Sequence, residues 1–176
     1  MLDYTKEELF SLIHKTPEKF NEWKKDREEV DLSEMDFSTI ILRDVDFSDV
    51  DLNSSSFSDS NLIGVNFYGA DLTAVDFTRA VVTECDFSES LLTGADCSYA
   101  QMQYCNFTDC DMAGTVLSET SLAGSDMTMA ENLSSARYDE DTEWPDDDLM
   151  PDDFDTSSRD DLSSLKDDED VVSYDY

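Results

Sequence analysis

The chain has 176 residues, with 44 acidic side chains against 11 basic ones and a formal net charge of −33. This charge argues against binding to nucleic acid or to anionic lipid, because both need clustered Lys and Arg. Hydrophobic residues make up 39% of the sequence, which is enough for a core. No apolar run reaches the roughly 20 residues of a membrane span, and the start lacks a secretory signal pattern. We therefore expect a folded cytoplasmic protein.

The first 29 residues differ from the rest because their charge is nearly balanced, with eight acids and six bases. Thr5-Lys6-Glu7-Glu8 is a capping-box pattern that predicts a helix through about Lys15. Thr16 is the predicted N-cap of a second helix, with Pro17 at its first position. We expect residues 1–29 to form a helical cap.

An apolar residue then recurs at every fifth position. The series contains twenty members without a gap: Leu32, Phe37, Leu42, Phe47, Leu52, Phe57, Leu62, Phe67, Leu72, Phe77, Val82, Phe87, Leu92, Cys97, Met102, Phe107, Met112, Leu117, Leu122 and Met127. A period of five fits neither a helix nor a flat strand. It predicts a short extended piece followed by a corner, so that four corners close a square coil of about twenty residues.

The alternation of Leu and Phe supports the four-sided coil. Residues twenty apart should lie directly above one another, which predicts two stacks of phenylalanines on opposite sides. One stack contains Phe37, Phe57 and Phe77, and the other contains Phe47, Phe67, Phe87 and Phe107. The residue before the centre of the pentad is Asp in ten of the twenty cases, and it should point outward.

This pattern resembles the pentapeptide-repeat family. The best-matching pentads are Val65-Asn66-Phe67-Tyr68-Gly69 and Ala70-Asp71-Leu72-Thr73-Ala74. The resemblance implies an all-β solenoid, a right-handed quadrilateral β-helix of about five coils over residues 30–138. Phe20-Asn21-Glu22-Trp23-Lys24 is similar to an element often found before the first coil of such proteins, and we expect Phe20 and Trp23 to cover that coil.

Residues 139–176 are predicted to be a closing segment and an acidic tail. The register slips by one residue between Met127 and Leu133 and resumes at Tyr138, and Tyr138 and Trp144 are expected to plug the last coil. Beyond Pro145 the sequence is rich in Asp. Two interpretations of the tail stay open, namely a solvated segment or an electronegative arm that docks on a basic partner.

No catalytic constellation is present, so we expect no enzyme, no cofactor and no metal. The single histidine, His14, falls on the first predicted helix and far from any cysteine in sequence. The cysteines, which all fall on inward positions of the pentad, are expected to be small reduced core residues: Cys85, Cys97, Cys105 and Cys110. Neither Cys-X-X-Cys nor His spacing typical of zinc occurs.

The outward residues fall on four faces, numbered from the pentad centred on Leu32. Three are acidic: face 1 has Asp31, Asp51, Asp71 and Asp111, face 2 has Asp36, Asp76 and Asp96, and face 4 has Asp46, Asp49, Asp86, Glu89, Asp109 and Asp126. Face 3 is close to neutral and shows Ile41, Ile63, Val81, Gln101 and Tyr104 outward. Such a row suggests a covered surface, and the cover could be the tail, the N-terminal helices or a second copy of the protein.

The acidic columns give a functional hypothesis. Five coils at about 4.8 Å make a rod of about 24 Å. Segment 30–130 has 18 acids and two bases, so one net charge falls on about each 1.5 Å, close to the ~1.7 Å of duplex DNA. A rigid rod of this charge could occupy a duplex-binding channel. The alternative is that Asp suits the outward motif position and that its charge only keeps the rod soluble.

The resemblance adds a candidate partner, because Qnr- and MfpA-type members of the family are DNA-like rods that bind DNA gyrase. It implies a non-enzymatic inhibitor or modulator of DNA gyrase, a type II topoisomerase, or of another duplex-binding enzyme. A phage protein aimed at a host DNA enzyme or a defence nuclease would fit the same properties. The sequence departs from the Qnr type in lacking loop insertions. The second hypothesis is a scaffold that binds a regulatory partner through face 3.

Overall fold

The computed structural model describes residues 4–27 and 29–154. Helix α1 (Lys6–Lys15) opens with the predicted capping box, in which the Glu8 N–H donates to Thr5 Oγ1 at 3.3 Å and the Thr5 N–H donates to Glu8 Oε2 at 2.9 Å. Helix α2 (Pro17–Lys24) follows at once. Within the described part of the chain, no helix is long and apolar enough to cross a membrane.

Thr16 occupies the predicted N-cap position of α2, but its side chain does not cap that helix. Its hydroxyl donates back to the Leu12 carbonyl at 3.3 Å and makes no cap hydrogen bond to α2. Thr16 also ends α1, where its N–H bonds the same carbonyl. The residue is shared by two helices, and its side chain serves the end of the first helix. Pro17 does occupy the predicted first position of α2.

Parallel pairing every twenty residues builds the rest of the molecule. Strands β1 (Val30–Asp31) and β3 (Val50–Asp51) form a two-stranded sheet. A four-stranded sheet contains β2 (Ile41–Arg43), β4 (Asn61–Ile63), β5 (Val81–Thr83) and β6 (Gln101–Gln103). Isolated parallel bridges continue both sheets and add two further ladders, such as Asp36↔Ser56 and Asp46↔Asn66. Four ladders make the four faces of a quadrilateral β-helix.

The chain turns at the second residue after nineteen of the twenty centres, all except Met127, and the backbone there is left-handed. The φ angles there lie between 53° and 70°, at residues such as Asp44 and Gly124. Many corners are closed by a bond from the third residue to the centre, as when the Val50 N–H donates to the Phe47 carbonyl at 3.2 Å. These corners leave the residues at positions 34, 39, 44 and their equivalents on the edges between faces.

The two inward columns fill the core as predicted. All twenty pentad centres from Leu32 to Met127 are buried. The predicted phenylalanine stacks are present: ring centroids are 4.9 Å apart for Phe37–Phe57 and 5.0 Å apart for Phe87–Phe107. Rings of the two stacks also meet edge to face, at 5.7 Å for Phe57–Phe67. All four cysteines are buried and free.

The N-terminal helices pack on the open end of the first coil. Phe10 stacks on Phe37 at 5.6 Å, and Phe20 meets Phe47 edge to face at 5.7 Å. The side chain of Asn21 supplies a hydrogen-bond acceptor that the first coil lacks, because its Oδ1 accepts the Asp46 N–H at 2.9 Å. In later coils that position bonds a backbone carbonyl of the coil before it, as from the Asn66 N–H to the Val45 carbonyl.

The C-terminal segment continues two ladders with a shifted register. Arg137 pairs with Val116 and Glu143 with Ser121, so the predicted slip of one residue occurs and a second follows. A 3-10 helix at Leu133–Ser135 takes up the first extra residue and buries Leu133. Bridge pairing therefore continues to Glu143, past residue 138. The domain boundary at residue 138 stays a prediction.

Aromatic rings lie at the C-terminal end of the coils. Tyr138 and Trp144 meet at 5.1 Å, and Phe154 joins them at 5.9 Å and 5.2 Å respectively. All three are partly buried against the core. The Met127 N–H, at the last pentad centre, donates to the Leu149 carbonyl at 2.8 Å. Most of the predicted acidic tail, residues 155–176, lies outside the described residues.

Candidate protein-binding surfaces

The ladders align the predicted acidic columns. Asp31, Asp51 and Asp71 follow one another on face 1, and Asp76 pairs with Asp96 on face 2. On face 4 the order is Asp46, Asn66, Asp86, Asn106 and Asp126. The face assignment made from the period of five therefore agrees with the backbone pairing.

The aspartates before the pentad centres have a structural role that the sequence did not reveal. Each of the ten accepts, through Oδ1, the backbone N–H two residues further on, at 2.8–3.0 Å. These turn-capping aspartates are Asp31, Asp36, Asp46, Asp51, Asp71, Asp76, Asp86, Asp96, Asp111 and Asp126. An Asp side chain that closes a local turn in this way is favoured for its hydrogen bond, whatever its charge does elsewhere.

Face 4 has the most extensive hydrogen bonding of this kind. Oδ1 of Asp86 accepts the Ser88 N–H at 3.0 Å, the Ser88 hydroxyl at 2.6 Å and the Asn106 side-chain amide at 3.2 Å. Asp46 is bonded in the same way by Ser48 and by Asn66. The alternation of Asp and Asn places a donor between successive carboxylates, which reduces like-charge repulsion along the column.

A second set of acids lies at the left-handed corners. These eight corner acids are exposed: Glu34, Asp44, Asp49, Asp59, Glu84, Glu89, Asp109 and Glu119. The fold does not need a carboxylate there, because glycine, tyrosine and arginine occupy equivalent corners. Glu in particular gains nothing locally from a positive φ, which favours Gly and, less strongly, Asn or Asp. Asp59 is paired with Arg79 by two hydrogen bonds, and the charge of the other corner acids needs another explanation.

The acids concentrate along the edge where face 4 meets face 1. We name this surface the acidic ridge; it contains ten of the eighteen acids of segment 30–130, namely Asp31, Asp46, Asp49, Asp51, Asp71, Asp86, Glu89, Asp109, Asp111 and Asp126. Ten of the thirteen predicted site acids thus lie together. The remaining three, Asp36, Asp76 and Asp96, lie on face 2, which does not border this edge.

Lysines of the helices neutralise the N-terminal end of the ridge. Lys6 Nζ lies 2.8 Å from Asp31 Oδ1, and Lys24 Nζ lies 3.7 Å from Asp46 Oδ1. The Lys6 ammonium and hydrogen bonds from Ser33 lower the pKa of Asp31 to about 2. No sequence pattern predicts these pairs, because a period of five does not specify where preceding helices dock. The exposed negative charge of the ridge therefore begins on the C-terminal side of these two ion pairs.

Face 3 differs in shape and charge. It is the outer side of the four-stranded sheet, where Ile41 is 62% exposed, Val81 36% and Tyr104 66%. Ile63 is half-buried and Gln101 is exposed, so all five predicted residues of this face reach its surface. Tyr99 and Tyr104 stand at opposite edges of the face beside Gln101. The N-terminal helices pack on the end of the rod and leave this face open.

A chain that pairs with itself every twenty residues along four parallel ladders is a solenoid repeat protein of the β-helix class. It belongs to the pentapeptide-repeat family: the pentapeptide repeat region matches residues 28–96, and a run of eight pentapeptide repeats matches residues 100–136. Proteins of this family form right-handed quadrilateral β-helices. No curated protein is significantly similar to the sequence.

Several solved structures of the family are similar to this chain. A pentapeptide-repeat protein from the cyanobacterium Cyanothece 51142 is 19% identical, with 72% of this chain and 99% of that chain covered and a TM-score of 0.48. HetL, involved in heterocyst differentiation regulation in Nostoc sp. strain PCC 7120, is 20% identical, with 63% and 60% covered and a TM-score of 0.39. QnrB1, a plasmid-mediated fluoroquinolone resistance protein, is 18% identical, with 63% and 60% covered and a TM-score of 0.43.

The chain spans about 60% of the length of HetL and of QnrB1. Their sequence identities to this chain lie at or below 20%. None of these similarities assigns a function to this chain.

Proposed function

We propose that this protein is a non-enzymatic DNA mimic that binds a DNA-binding enzyme through the acidic ridge. The observation that carries the proposal is the set of corner acids. The turn-capping aspartates have a local role in closing turns, so their charge alone is weak evidence for function. Asp49, Glu89 and Asp109 have no such role, yet they form the crest of the ridge.

The geometry of the rod supports this function. About five coils, closed at one end by the helices, give a narrow, rigid body about 24 Å long. A stacked solenoid loses little conformational entropy when it docks, so its charges act as a preorganised array. The ridge presents negative charge on both sides of one edge, which suits a groove lined with Lys and Arg. Association would be steered by charge and weakened by salt.

The best candidate partner is DNA gyrase, a choice that comes from the family resemblance. Another duplex-binding enzyme, including a host enzyme or a defence nuclease met by a phage protein, has the required basic channel as well. We propose the bacterial or phage-infected cytoplasm as the place of action. Inhibition follows if the rod occupies the channel that the DNA duplex needs.

A gyrase supercoiling assay with a matched pair of variants tests the proposal. The ridge variant is Asp49→Asn with Glu89→Gln and Asp109→Asn. The control variant, Glu34→Gln with Asp44→Asn and Glu119→Gln, removes the same number of corner charges from other edges. Amides keep the corner conformation, so both variants should fold. We expect the ridge variant to inhibit at least about tenfold less than the control variant.

The measurement needs a direct binding arm in case gyrase is not the partner. Proteins captured from bacterial lysate by the wild-type chain at low salt should be released by duplex DNA and by high salt, and identified by mass. Equal capture by the ridge and control variants would contradict a role for the ridge. Capture that depends on the ridge, together with unchanged gyrase activity, would point to another duplex-binding enzyme.

A scaffold that binds a regulatory partner through face 3 is the second candidate. The observation in its favour is the four-stranded sheet, whose strands have exposed Ile41 and Val81 and a single charged residue, Arg43 at the end of β2. This function predicts that Ile63→Asp or Val81→Asp abolishes capture of the partner and that salt has little effect. The two candidates therefore differ in both the sensitive surface and the response to ionic strength.

A further inference from the structure

Face 3 is the part of the rod best suited to contact another copy of the same rod. Faces 1, 2 and 4 have acidic columns, so two copies brought together through them would place carboxylates against carboxylates. Face 3 instead presents a row of uncharged residues, and the second row of the same sheet has one charge, Arg43 on the first rung. The uncharged row is Ile41, Asn61, Val81, Gln101 and Ser121. Exposed Tyr and aliphatic side chains on a flat surface are typical of interface centres.

We propose that a second copy of this chain docks on face 3, with the two rods parallel and related by a two-fold axis along their length. In such an isologous pair each rung meets the same rung of the other copy, with left and right exchanged. The left-hand residue of every rung then faces the right-hand residue of the partner. This inference goes beyond the proposed function, since the ridge plays no part in the contact.

The exchange of left and right produces no like-charge contact on any rung. Asp44 would face Thr39, Asp59 would face Gly64 and Glu119 would face Gly124. On the third rung, Arg79 would face the partner's Glu84, which is an attractive pair formed twice. Arg79 already holds Asp59 through Nε and one terminal nitrogen, at 2.8 Å and 2.7 Å, and its other terminal nitrogen has donors left for a further carboxylate.

The uncharged residues also match. On the fourth rung, Tyr99, 55% exposed, would face Tyr104, and Gln101 would face Gln103. On the third rung Val81 would face Thr83. Sheets pack face to face at about 10 Å, a separation that these side chains can fill. Five rungs make a small interface, so we expect a weak dimer whose population depends on concentration.

Net charge sets the salt response of this dimer. Each copy has a formal charge of −33, so long-range repulsion opposes dimerisation and screening relieves it. Salt should therefore strengthen contact through face 3, although it weakens binding through the ridge. Sedimentation equilibrium of the full chain at low and high salt measures this directly. We expect the dimer fraction to rise with protein concentration and with salt.

Two variants test the surface and the arrangement. Val81→Asp places a charge at the centre of face 3 and should abolish the dimer. Glu84→Arg should weaken it several-fold, because Arg then faces Arg79 of the other copy. The weakening is expected even though this change makes the net charge less negative and so reduces the repulsion between copies. The matched control Glu34→Arg makes the same change on another edge and should leave the dimer unchanged or stronger. Circular dichroism checks that all three variants fold.

Spin labels test the parallel direction. The native cysteines are buried, so labels would attach at Thr39→Cys or, separately, at Glu119→Cys. Both should give short distances between copies, because equal rungs meet. An antiparallel pair would separate these end rungs by about 19 Å along the axis and would overturn the proposed arrangement. A wild-type chain that stays monomeric at high concentration and high salt would overturn the dimer itself.

Discussion

The acidic ridge and face 3 have the same repeat inside and different surfaces outside. On the ridge the residue before the centre is mostly Asp, and its carboxylate caps a turn immediately after the centre. On face 3 the four sheet strands begin with Ile41, Asn61, Val81 and Gln101, and the chain stays extended for three residues. Packing therefore fixes only the two inward columns, so one core supports both a strongly acidic edge and a sheet with a single charged residue, Arg43.

The ridge itself contains two kinds of carboxylate. The turn-capping aspartates contribute to stability by closing turns, while the corner acids of the ridge close no turn, although Glu89 is hydrogen-bonded to the Tyr68 side chain. Face 3 has no turn-capping aspartate on its sheet strands, and its β-branched residues suit extended structure instead. This separation allows stability and binding to be changed independently.

Replacement of a turn-capping aspartate should be much more costly than replacement of its corner neighbour. Asp86→Ala removes three hydrogen bonds, so we expect the free energy of unfolding to fall by about 2–3 kcal/mol, at about 1 kcal/mol per bond. Glu89→Gln, three residues later, should change it by less than about 0.5 kcal/mol. Urea unfolding of the two variants measures the difference. Equal effects would show that the two kinds of carboxylate are not distinct.

Replacement of a glycine at a corner of the ridge should destabilise the protein more than replacement of a glycine at another corner. Gly69 has a φ of +61°, and a Cβ there would lie 2.6 Å from the Asp49 carboxylate. Gly69→Ala should therefore lower the melting temperature more than Gly94→Ala, whose Cβ would meet nothing within 4 Å. We expect backbone strain to lower the free energy of unfolding by about 1 kcal/mol in both variants. The contact with Asp49 should lower it further in Gly69→Ala. An equal loss in both variants would mean that Asp49 moves aside freely.

Sequence reasoning predicted the parts of the fold that repeat. The twenty centres, the two phenylalanine stacks and the four faces follow from a period of five, because each coil repeats the position of the last. The period could not reveal what outward side chains do: the bonds of Asp86 or the docking of Lys24 on Asp46 depend on rotamers and on non-repeating segments. Thr16 shows the same limit, since its hydroxyl could accept an N–H of α2 but instead donates to the Leu12 carbonyl.

The smallest predicted effect concerns the N-terminal end of the ridge. The Lys6 ammonium is the main cause of the low pKa of Asp31, about 2. A folded-state pKa below the ordinary ~3.9 means that this pair stabilises the protein above about pH 4 and that the contribution is lost as the pH falls toward 2. The pair is solvent-exposed, so the contribution should be below about 1 kcal/mol.

Lys6→Met should raise the pKa of Asp31 measured by carboxyl titration in NMR, although the Ser33 hydrogen bonds should keep it below its ordinary value. Lys25→Met is the matched control, because Lys25 pairs with Glu22 within the helical segment, away from Asp31. It should leave the pKa of Asp31 unchanged. If both variants left that pKa at about 2, the contact of Lys6 with Asp31 would not be the cause of the low pKa. Lys6 would then not neutralise Asp31, and the negative charge of the ridge would extend to the first coil.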